Sequence, residues 1–154
     1  MMPNVVERLR GTPARLEDRL AHVTRETRTR AREDGKWTLQ QNAGHLLDLE
    51  SLWLARLEET LAGAAALTSA DLTNRKTHEA RHDERPIAEI LQRFRTDRAK
   101  YVAALEKLGE EQVVRAGIHP RLNVPMRVID QAFFVAEHDD HHLAPIAEML
   151  GVSG

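Results

Sequence analysis

Four stretches of this chain repeat apolar residues at intervals of three and four positions, and glycine or proline separates one stretch from the next. The third stretch is the clearest, because Ile90, Phe94 and Tyr101 fall on one stripe of a helix. A helix with one apolar stripe must bury that stripe against other helices. The pattern therefore predicts an all-α four-helix bundle.

Proline, glycine and capping residues set the expected ends of these helices. Thr12 followed by Pro13 predicts the start of the first helix, and Thr38 in capping-box spacing predicts the start of the second. The expected ranges are 12 to about 34, 38–62, 86–108 and about 126–150. Residues 64–85 are polar and predict a long loop or a loosely attached short segment between helices two and three. Residues 118–125 predict a connector with two prolines.

Length and composition agree with one small helical domain. The chain has 154 residues, of which 42% are hydrophobic and only 4% are aromatic, and this favours helices over sheets. We expect a single domain over residues 1–154. A net charge of −2 gives no reason to expect nucleic acid as a partner. No apolar run is long enough for a membrane span or a secretion segment, so a cytoplasmic protein is expected.

The chain contains no cysteine, and this limits its chemistry. Disulfides, thiolate metal sites and a protein thiol nucleophile are excluded, so any metal must be held by histidine and carboxylate groups. Any thiol chemistry would need a thiol that a substrate supplies.

Residues 78–82 read HEARH and match H-E-x-x-H, in which two histidines one helical turn apart bind zinc and the glutamate is the base of a metalloprotease. In such enzymes apolar neighbours bury the helix that carries the motif. Here the flanking residues in NRKTHEARHDERP are almost all charged or polar. We therefore expect His78 and His82 to be solvated histidines in a charged loop, and not a metal site.

A second pair, His138 and His142, lies on the last predicted helix in AEHDDHHLAPI. At about 100° per residue the two differ by about 40° and share their arc with Val135 and Ile146, so both imidazoles face inward. His141 lies about 60° to the other side, among polar residues, and is expected at the surface. Two inward histidines one turn apart can converge on one ion, or they can pack as core histidines that other groups satisfy.

His45 is the candidate third ligand. It precedes Leu49 by one turn on the second predicted helix, which is apolar over most of its circumference, and this position favours burial. Together with His138 and His142 it would offer three neutral nitrogens and leave an open position for water or substrate, as a catalytic metal requires.

The motifs GKWTLQQNAGHL and FFVAEHDDHHLAPI, with the long loop and FRTDRAKYVAALEKL between them, resemble the DinB/YfiT-like superfamily of bacterial four-helix bundles. In that family a Trp-Ser/Thr pair precedes a helix with one metal histidine, and an H-x-x-x-H on the last helix supplies the other two. The resemblance covers essentially the whole chain. It implies that His45, His138 and His142 form a metal triad, in agreement with the helical faces.

The resemblance also implies a kind of chemistry. Characterised members include thiol-dependent S-transferases and a mycothiol-dependent isomerase, and others are described as metal-dependent hydrolases. We therefore expect a metal-dependent enzyme of the S-transferase or hydrolase type that acts on a small-molecule substrate. Zinc and nickel both suit imidazole ligands, and a low-molecular-weight thiol would be the co-substrate of a transferase.

Two alternatives to an enzyme remain open. The first is a bundle that binds metal without turnover, and the second is a helical interaction module in which the three histidines only pack. The resemblance and a second apolar edge on the first helix also suggest a homodimer.

Asp139 is the candidate catalytic residue. It lies at the edge of the inward face beside His138, where it could orient a ligand histidine or act as a base. The alternative is a salt bridge across the bundle to an arginine such as Arg98. Asp48, one turn after His45, is a second candidate of the same kind.

Four further residues carry expectations about the surroundings of the site. Pro145 falls inside the last helix, where its ring clashes with the carbonyl of His141, so we expect a kink or early distortion just after His142. The resemblance implies a polar residue near this point that could touch a ligand or substrate, and its absence here bears on the substrate pocket more than on the metal. Trp37 at the entry to the second helix is expected to plug the core. Tyr101 and His119 could edge a pocket.

Overall fold

The computed structural model describes residues 2–151, in which four long helices are joined by short helices and one small hairpin. The elements in chain order are α1 (Met2–Leu20), α2 (Arg25–Arg28), α3 (Leu39–Leu61), α4 (Arg75–Ala80), a 3-10 turn (His82–Glu84), α5 (Ile87–Glu106), α6 (Glu110–Val113), β1 (Ala116–Ile118), β2 (Pro125–Arg127) and α7 (Val128–Leu150). The four long helices α1, α3, α5 and α7 confirm the predicted bundle. Within the described residues, no helix combines the length and the hydropathy that a membrane span needs.

Each long helix packs against two others. Both α1 and α3 contact α5 and α7, so α1 lies across the bundle from α3, the next long helix in the chain. The connection between them contains the short helix α2, whose N-cap Thr24 accepts a hydrogen bond from the N–H of Thr27. The prediction that the first helix extends to about residue 34 was therefore wrong, because Thr24 caps a separate turn.

A polar layer at mid-bundle divides the core into two apolar clusters. One cluster includes Leu9, Trp53, Leu57, Leu105 and Val135, and the other includes Leu16, Leu46, Phe94, Leu143 and Ile146. Between them each long helix contributes one buried polar residue, in chain order Thr12, Glu50, Arg98 and Asp139. We call these four residues the polar layer.

Arg98 connects the members of the polar layer. Its Nε and Nη2 donate to Glu50 at 3.0 and 2.6 Å, while Nη1 and Nη2 donate to Asp139 at 2.6 and 2.9 Å. Nη1 also donates to the Leu9 carbonyl of α1 at 3.1 Å, and the Thr12 hydroxyl donates to Asp139 at 2.7 Å. All five guanidinium protons are used, and one side chain ties the four long helices together.

Pro13 explains why the Leu9 carbonyl is free to accept from Arg98. Because Pro13 has no N–H, the carbonyl four residues earlier receives no helical hydrogen bond. The helix α1 therefore runs through Pro13, and the prediction that it begins at Thr12 was wrong. Thr12 is not an N-cap, since its hydroxyl faces the core as part of the polar layer.

The ends of the other long helices follow their predicted signals. Thr38 and Gln41 form the expected capping box at the start of α3, with distances of 3.0 Å in both directions. Gly63 and Gly151 have positive φ just beyond α3 and α7, as expected for residues that end helices. Pro145 lies inside α7, which continues beyond it, so the expected distortion does not interrupt the helix.

Two segments that were expected to be irregular contain short regular elements. Residues 64–85, predicted as a long loop or a loosely attached short segment, include α4 and the 3-10 turn, and both pack against α3. In the predicted connector 118–125, Ile118 and Pro125 are paired residues of the antiparallel strands β1 and β2, and residues 119–124 form the turn between them. Strands of three residues are too short to show a recognisable alternation in a sequence.

The polar layer holds one cation between two carboxylates. The side chains of Arg98, Glu50 and Asp139 are exposed by 1%, 1% and 0%. Burial raises the pKa of Glu50 to about 7 despite the adjacent Arg98, and the Asp139 carboxylate adds to that rise. Burial alone would lower the pKa of Arg98, but the two carboxylates outweigh burial and hold this pKa above its ordinary value. The guanidinium is therefore the fixed charge of the layer.

Arg98→Met is expected to lower the free energy of unfolding by about 3–5 kcal/mol, because it leaves Glu50 and Asp139 as buried acids without a counter-ion. Urea titrations at neutral pH measure this loss. Arg95→Met is the matched control on α5, since Arg95 pairs at the surface with Glu17 at 2.9 Å and its loss should cost about 1 kcal/mol or less. Equal losses in the two variants would contradict the role of the polar layer.

Candidate metal centre

Three histidines meet between α3 and α7. His45 comes from α3, and His138 and His142 come from successive turns of α7. One ring nitrogen from each lies within 4.8 Å of the other two, a spacing at which three imidazoles can bind one ion. His45 is buried and the other two are half-buried. The structure thus brings together the three residues that the sequence indicates as metal ligands.

Hydrogen bonds behind His45 determine which of its nitrogens faces the cluster. Its Nδ1 lies 3.0 Å from the hydroxyl oxygen of Thr77, and that hydroxyl donates its single proton to Asp48 at 2.8 Å. The Thr77 oxygen can therefore only accept from His45, so Nδ1 carries the proton and Nε2 keeps a free lone pair. Asp48 thus orients a candidate ligand through Thr77, which is the kind of role predicted for it.

A hydrogen bond to Asn42 determines which ring nitrogen of His142 faces the cluster. The Nδ1 of His142 lies 3.0 Å from the side-chain oxygen of Asn42, whose amide nitrogen donates to the Thr38 carbonyl at 3.0 Å. The amide oxygen is therefore an acceptor, and Nδ1 of His142 is its donor. Like His45, His142 is left with Nε2 as the nitrogen available to an ion.

His138 differs from the other two because its Nδ1 is buried and has no hydrogen-bond partner within residues 2–151. Buried polar atoms without partners are rare in folded proteins, and each one calls for an explanation such as an ion. Two imidazoles with fixed rings and a third with an unsatisfied buried nitrogen fit a bound metal ion. This donor set is complete without any carboxylate.

Burial keeps the three imidazoles neutral. It lowers the pKa of His45 to about 4, and it also lowers the pKa of His138 to about 3 and that of His142 to about 2. Mutual repulsion among the charged forms adds to the effect at His138 and His142. Neutral imidazole is the form that binds metals, so at neutral pH no proton has to be removed from these rings first.

Two tryptophans cover the cluster. The Trp37 ring lies 4.5 Å from the His45 ring and stacks on His142 at 5.9 Å, both measured between centroids. Trp53 meets His138 edge to face at 5.3 Å. Trp37 is half-buried, so the prediction that it plugs the core was wrong; its position over the histidines makes it one wall of the site.

A cavity of about 290 Å³ lies next to the histidines. His45 and His138 form part of its lining, and Leu49, Trp53 and Phe134 make an apolar wall. The loops at 69–74 and 119–121 close its other sides. A small molecule in this cavity would lie beside the imidazole cluster, as the substrate of a metal centre must.

The HEARH segment lies close to the site without contributing either of its histidines to the cluster. His78 is exposed, as predicted, but His82 is buried, and its Nε2 donates to Asp48 at 2.8 Å. The expectation that His82 is solvated was therefore wrong. Its ring fits against α3 because Gly44 has no side chain, and Gln40 holds the turn by donating to the His82 carbonyl at 2.6 Å.

Asp139 forms the salt bridge across the bundle to Arg98, which was the alternative to a catalytic role. It is fully buried, and within the described residues its carboxylate accepts only from Arg98 and Thr12. We therefore assign it to the polar layer and not to catalysis. Of the two residues expected to edge a pocket, His119 lines the cavity, whereas Tyr101 is buried in the core.

Two residues that orient the histidines were not foreseen. Asn42 precedes His45 by three positions, so helical spacing already places both on the same side of α3, and that spacing was a usable signal. Thr77 belongs to the charged segment before α5 and reaches the site only because α4 packs against α3. No local pattern around Thr77 indicates this role.

The fold and the histidine cluster define a four-helix bundle with a candidate three-histidine metal centre. The chain belongs to the DinB superfamily, whose family model matches residues 8–146. A solved structure described as "YfiT from Bacillus subtilis is a probable metal-dependent hydrolase with an unusual four-helix bundle topology" is similar, with a TM-score of 0.80 and 20% identity. The match covers 99% of this chain and 89% of that one, and it establishes a shared fold. Among curated proteins no match to this chain is found.

Thr77→Val is expected to weaken zinc binding by about 10–100-fold, because the change removes the acceptor that orients His45 while preserving side-chain volume. Competition with a chromophoric chelator measures the affinity. Thr96→Val on the exposed face of α5 is the control and should leave zinc binding unchanged. Unchanged zinc affinity in a folded Thr77→Val protein would show that the hydrogen bond to His45 does not matter.

Gly44→Ala is expected to lower the free energy of unfolding by about 1–3 kcal/mol, since the new Cβ would overlap the His82 ring. Gly11→Ala is the matched control in α1, where no atom lies within 4 Å of an added Cβ. That change should raise stability by about 0.5–1 kcal/mol through helix propensity. Urea titration of both variants is the test, and a stabilising effect of Gly44→Ala would mean that His82 is not packed against α3.

Proposed function

We propose that this protein is a metal-dependent enzyme that activates a nucleophile taken from solution, either water in a hydrolase or a low-molecular-weight thiol in an S-transferase. His45, His138 and His142 hold the divalent ion, for which zinc and nickel are the best candidates because both accept imidazole ligands. One observation carries the proposal: three neutral imidazoles converge to within 4.8 Å of one another beside a cavity of about 290 Å³.

A divalent cation bound there would act as a Lewis acid and lower the pKa of a water or thiol ligand, which yields an anionic nucleophile at neutral pH. The chain's own residues orient and protect the site. Thr77 and Asn42 accept the Nδ1 protons of two imidazoles and thereby keep their Nε2 lone pairs in one direction. Trp37 and Trp53 lie against the rings and exclude bulk water from two sides of the cluster.

The source of the nucleophile separates the two forms of the proposal. The chain has no cysteine, so a thiol would have to enter the cavity as a co-substrate. The description of YfiT as a probable metal-dependent hydrolase supports water as the nucleophile. The resemblance to thiol-dependent family members supports a thiol.

The cavity favours an enzyme over the two alternatives. A metal that only stabilises a fold is usually enclosed by four protein ligands, whereas here three nitrogens converge and two of the three histidines, His45 and His138, line a space that a ligand can occupy. A helical interaction module would have no need for three neutral imidazoles that converge next to a cavity.

Elemental mass spectrometry of untagged protein, incubated with zinc or nickel and then desalted, tests the metal site. Near-stoichiometric metal is expected in the wild type, and loss is expected in His45→Ala and His142→Ala, because two imidazoles hold an ion far more weakly than three. His78→Ala is the matched control, since this exposed histidine lies close to Trp37 but outside the cluster. Metal retained without His45 and lost without His78 would overturn the proposal.

A second measurement separates turnover from metal binding alone. Metal-loaded protein is assayed for hydrolysis of p-nitrophenyl acetate, and for transfer of glutathione or free cysteine to chlorodinitrobenzene. Activity that a chelator abolishes and added metal restores is expected in one of the two assays, and the assay that responds identifies the nucleophile. Stoichiometric metal without activity in either assay would favour a bundle that binds metal without turnover.

A further inference from the structure

Arg56 on α3 is a buried cation without an anionic partner. Its residue is only 5% exposed, yet no carboxylate within residues 2–151 forms an ion pair with it. Buried arginines are otherwise paired, as Arg98 is in this same protein, because an unpaired buried charge is costly. An unpaired buried guanidinium that lines a cavity is the arrangement expected for a site that receives its anion from a ligand.

The hydrogen bonds of Arg56 leave most of its donors available. Its Nε donates to the Thr68 carbonyl at 2.9 Å, and the guanidinium lies over the Trp53 ring at 5.8 Å. These contacts hold the side chain in one orientation. The four protons of Nη1 and Nη2 have no partner among the described residues, and this end of the guanidinium matches the two oxygens of an oxyanion.

Two further donors border the same cavity near Arg56. Arg121 lies at the exposed rim, and His119 is buried in the cavity wall. His119 Nδ1 accepts from the backbone N–H groups of Arg121 and Leu122 at 3.3 and 3.2 Å, which leaves the Nε2 of His119 as a donor. The site therefore gathers a guanidinium, an imidazole N–H and a second arginine around one space.

Arg56, His119 and Arg121 lie close enough together for their charges to affect the pKa values of Arg56 and His119. Burial lowers the pKa of Arg56, the field of Glu59 opposes this, and Arg121 lowers it further. Burial also lowers the pKa of His119, with Arg56 and Arg121 adding to the effect. The neighbouring guanidinium charges of Arg56 and Arg121 attract an anion from solution, and the neutral His119 can donate a hydrogen bond to it.

The acids nearest to this cluster are engaged elsewhere. Glu59 accepts from both the backbone N–H and the hydroxyl of Thr68. Asp71, at the exposed edge of the cavity, accepts from the Thr73 N–H at 2.9 Å, the Thr73 hydroxyl at 2.6 Å and the Arg75 N–H at 3.0 Å. Neither carboxylate therefore forms an ion pair with Arg56, and Glu59 acts on it only through its electrostatic field.

We propose that Arg56, with His119 and Arg121 beside it, binds the oxyanion of a small organic anion whose apolar part lies against Leu49 and Trp53. A carboxylate is the expected oxyanion, because one buried guanidinium neutralises one negative charge. The cavity of about 290 Å³ is at the small end of ligand sites, so the ligand is about the size of one ring with a short acidic side chain. That this ligand is the substrate rests on the proposed function, since the same cavity borders His45 and His138.

Calorimetric titration of metal-free protein with phenylacetate, its neutral isostere phenylacetamide and phenyl phosphate tests this inference. The wild type should bind phenylacetate at least about 10-fold more tightly than phenylacetamide, in line with hydrogen bonds to a charged group. Tighter binding of phenyl phosphate than of phenylacetate would retain the oxyanion site and identify phosphate as its anion. Equal binding of the acid and the amide, or no saturable binding of either anion, would overturn the inference.

Arg56→Met should abolish the preference for the acid over the amide. Arg115→Met is the matched control, because this exposed arginine also donates to a backbone carbonyl, that of Leu61, but does not line the cavity. The thermal midpoint of Arg56→Met should equal or exceed that of the wild type, since the change removes an unpaired buried charge. A lower midpoint with the acid preference retained would show that Arg56 is structural and would overturn the inference.

Metal-free protein keeps this test independent of the proposed function. If the histidines bind no metal, the preference for the acid is still measurable. If the anion site fails, the metal contents of the histidine variants are unaffected, so the two failures are distinguishable.

Discussion

The bundle depends on the way in which Arg98 satisfies all of its donors at once. Its five N–H protons reach Glu50, Asp139 and the Leu9 carbonyl, so it contacts the other three long helices. Burying these charges costs solvation free energy, and a well-packed apolar layer could be equally stable. What the charges provide is register. Sliding one helix past another by a turn, about 5.4 Å, would break bonds to charged groups that water cannot reach.

The histidine cluster is a consequence of that register. Asp139 is adjacent to His138 in the sequence, and Glu50 follows His45 by five residues on α3, so the contacts of Arg98 fix how the two histidine-bearing helices align. Ring orientation comes from a second source, the segment that carries α4 and packs on α3. Its Thr77 faces His45, while Asp48 joins Thr77 to the buried His82 and keeps its own pKa below the usual value, because these two hydrogen bonds outweigh the effect of burial. The bundle therefore sets the positions of the imidazoles, and the docked segment sets the orientation of one of them.

Regular helical spacing was enough to predict the bundle and the three histidines, since both depend on which face of a helix a residue occupies. Helical spacing was not enough where a contact with a residue far away in the sequence decides where a helix starts or whether a side chain is buried. Thr12 and Pro13 carry the local signals of a helix start. The helix nevertheless continues through Pro13, because Arg98 donates to the Leu9 carbonyl that Pro13 leaves without a helical hydrogen bond. His82 lies among charged neighbours and was expected in solvent, yet a gap at Gly44 receives its ring. Asp139 had two roles open to it, and helical spacing could not decide between them.

We infer that His45, His138 and His142 are neutral imidazoles already arranged for one ion before that ion binds. Long-range proton–nitrogen correlation spectra of the imidazoles, recorded before and after addition of zinc, test this claim directly. If this claim holds, the metal-free protein shows Nδ1-protonated tautomers for His45 and His142. Zinc then shifts a nitrogen resonance of all three residues, while His78 and His82 keep their resonances. Nε2-protonated His45 and His142, or zinc-dependent shifts at His78 in place of the cluster, would contradict it.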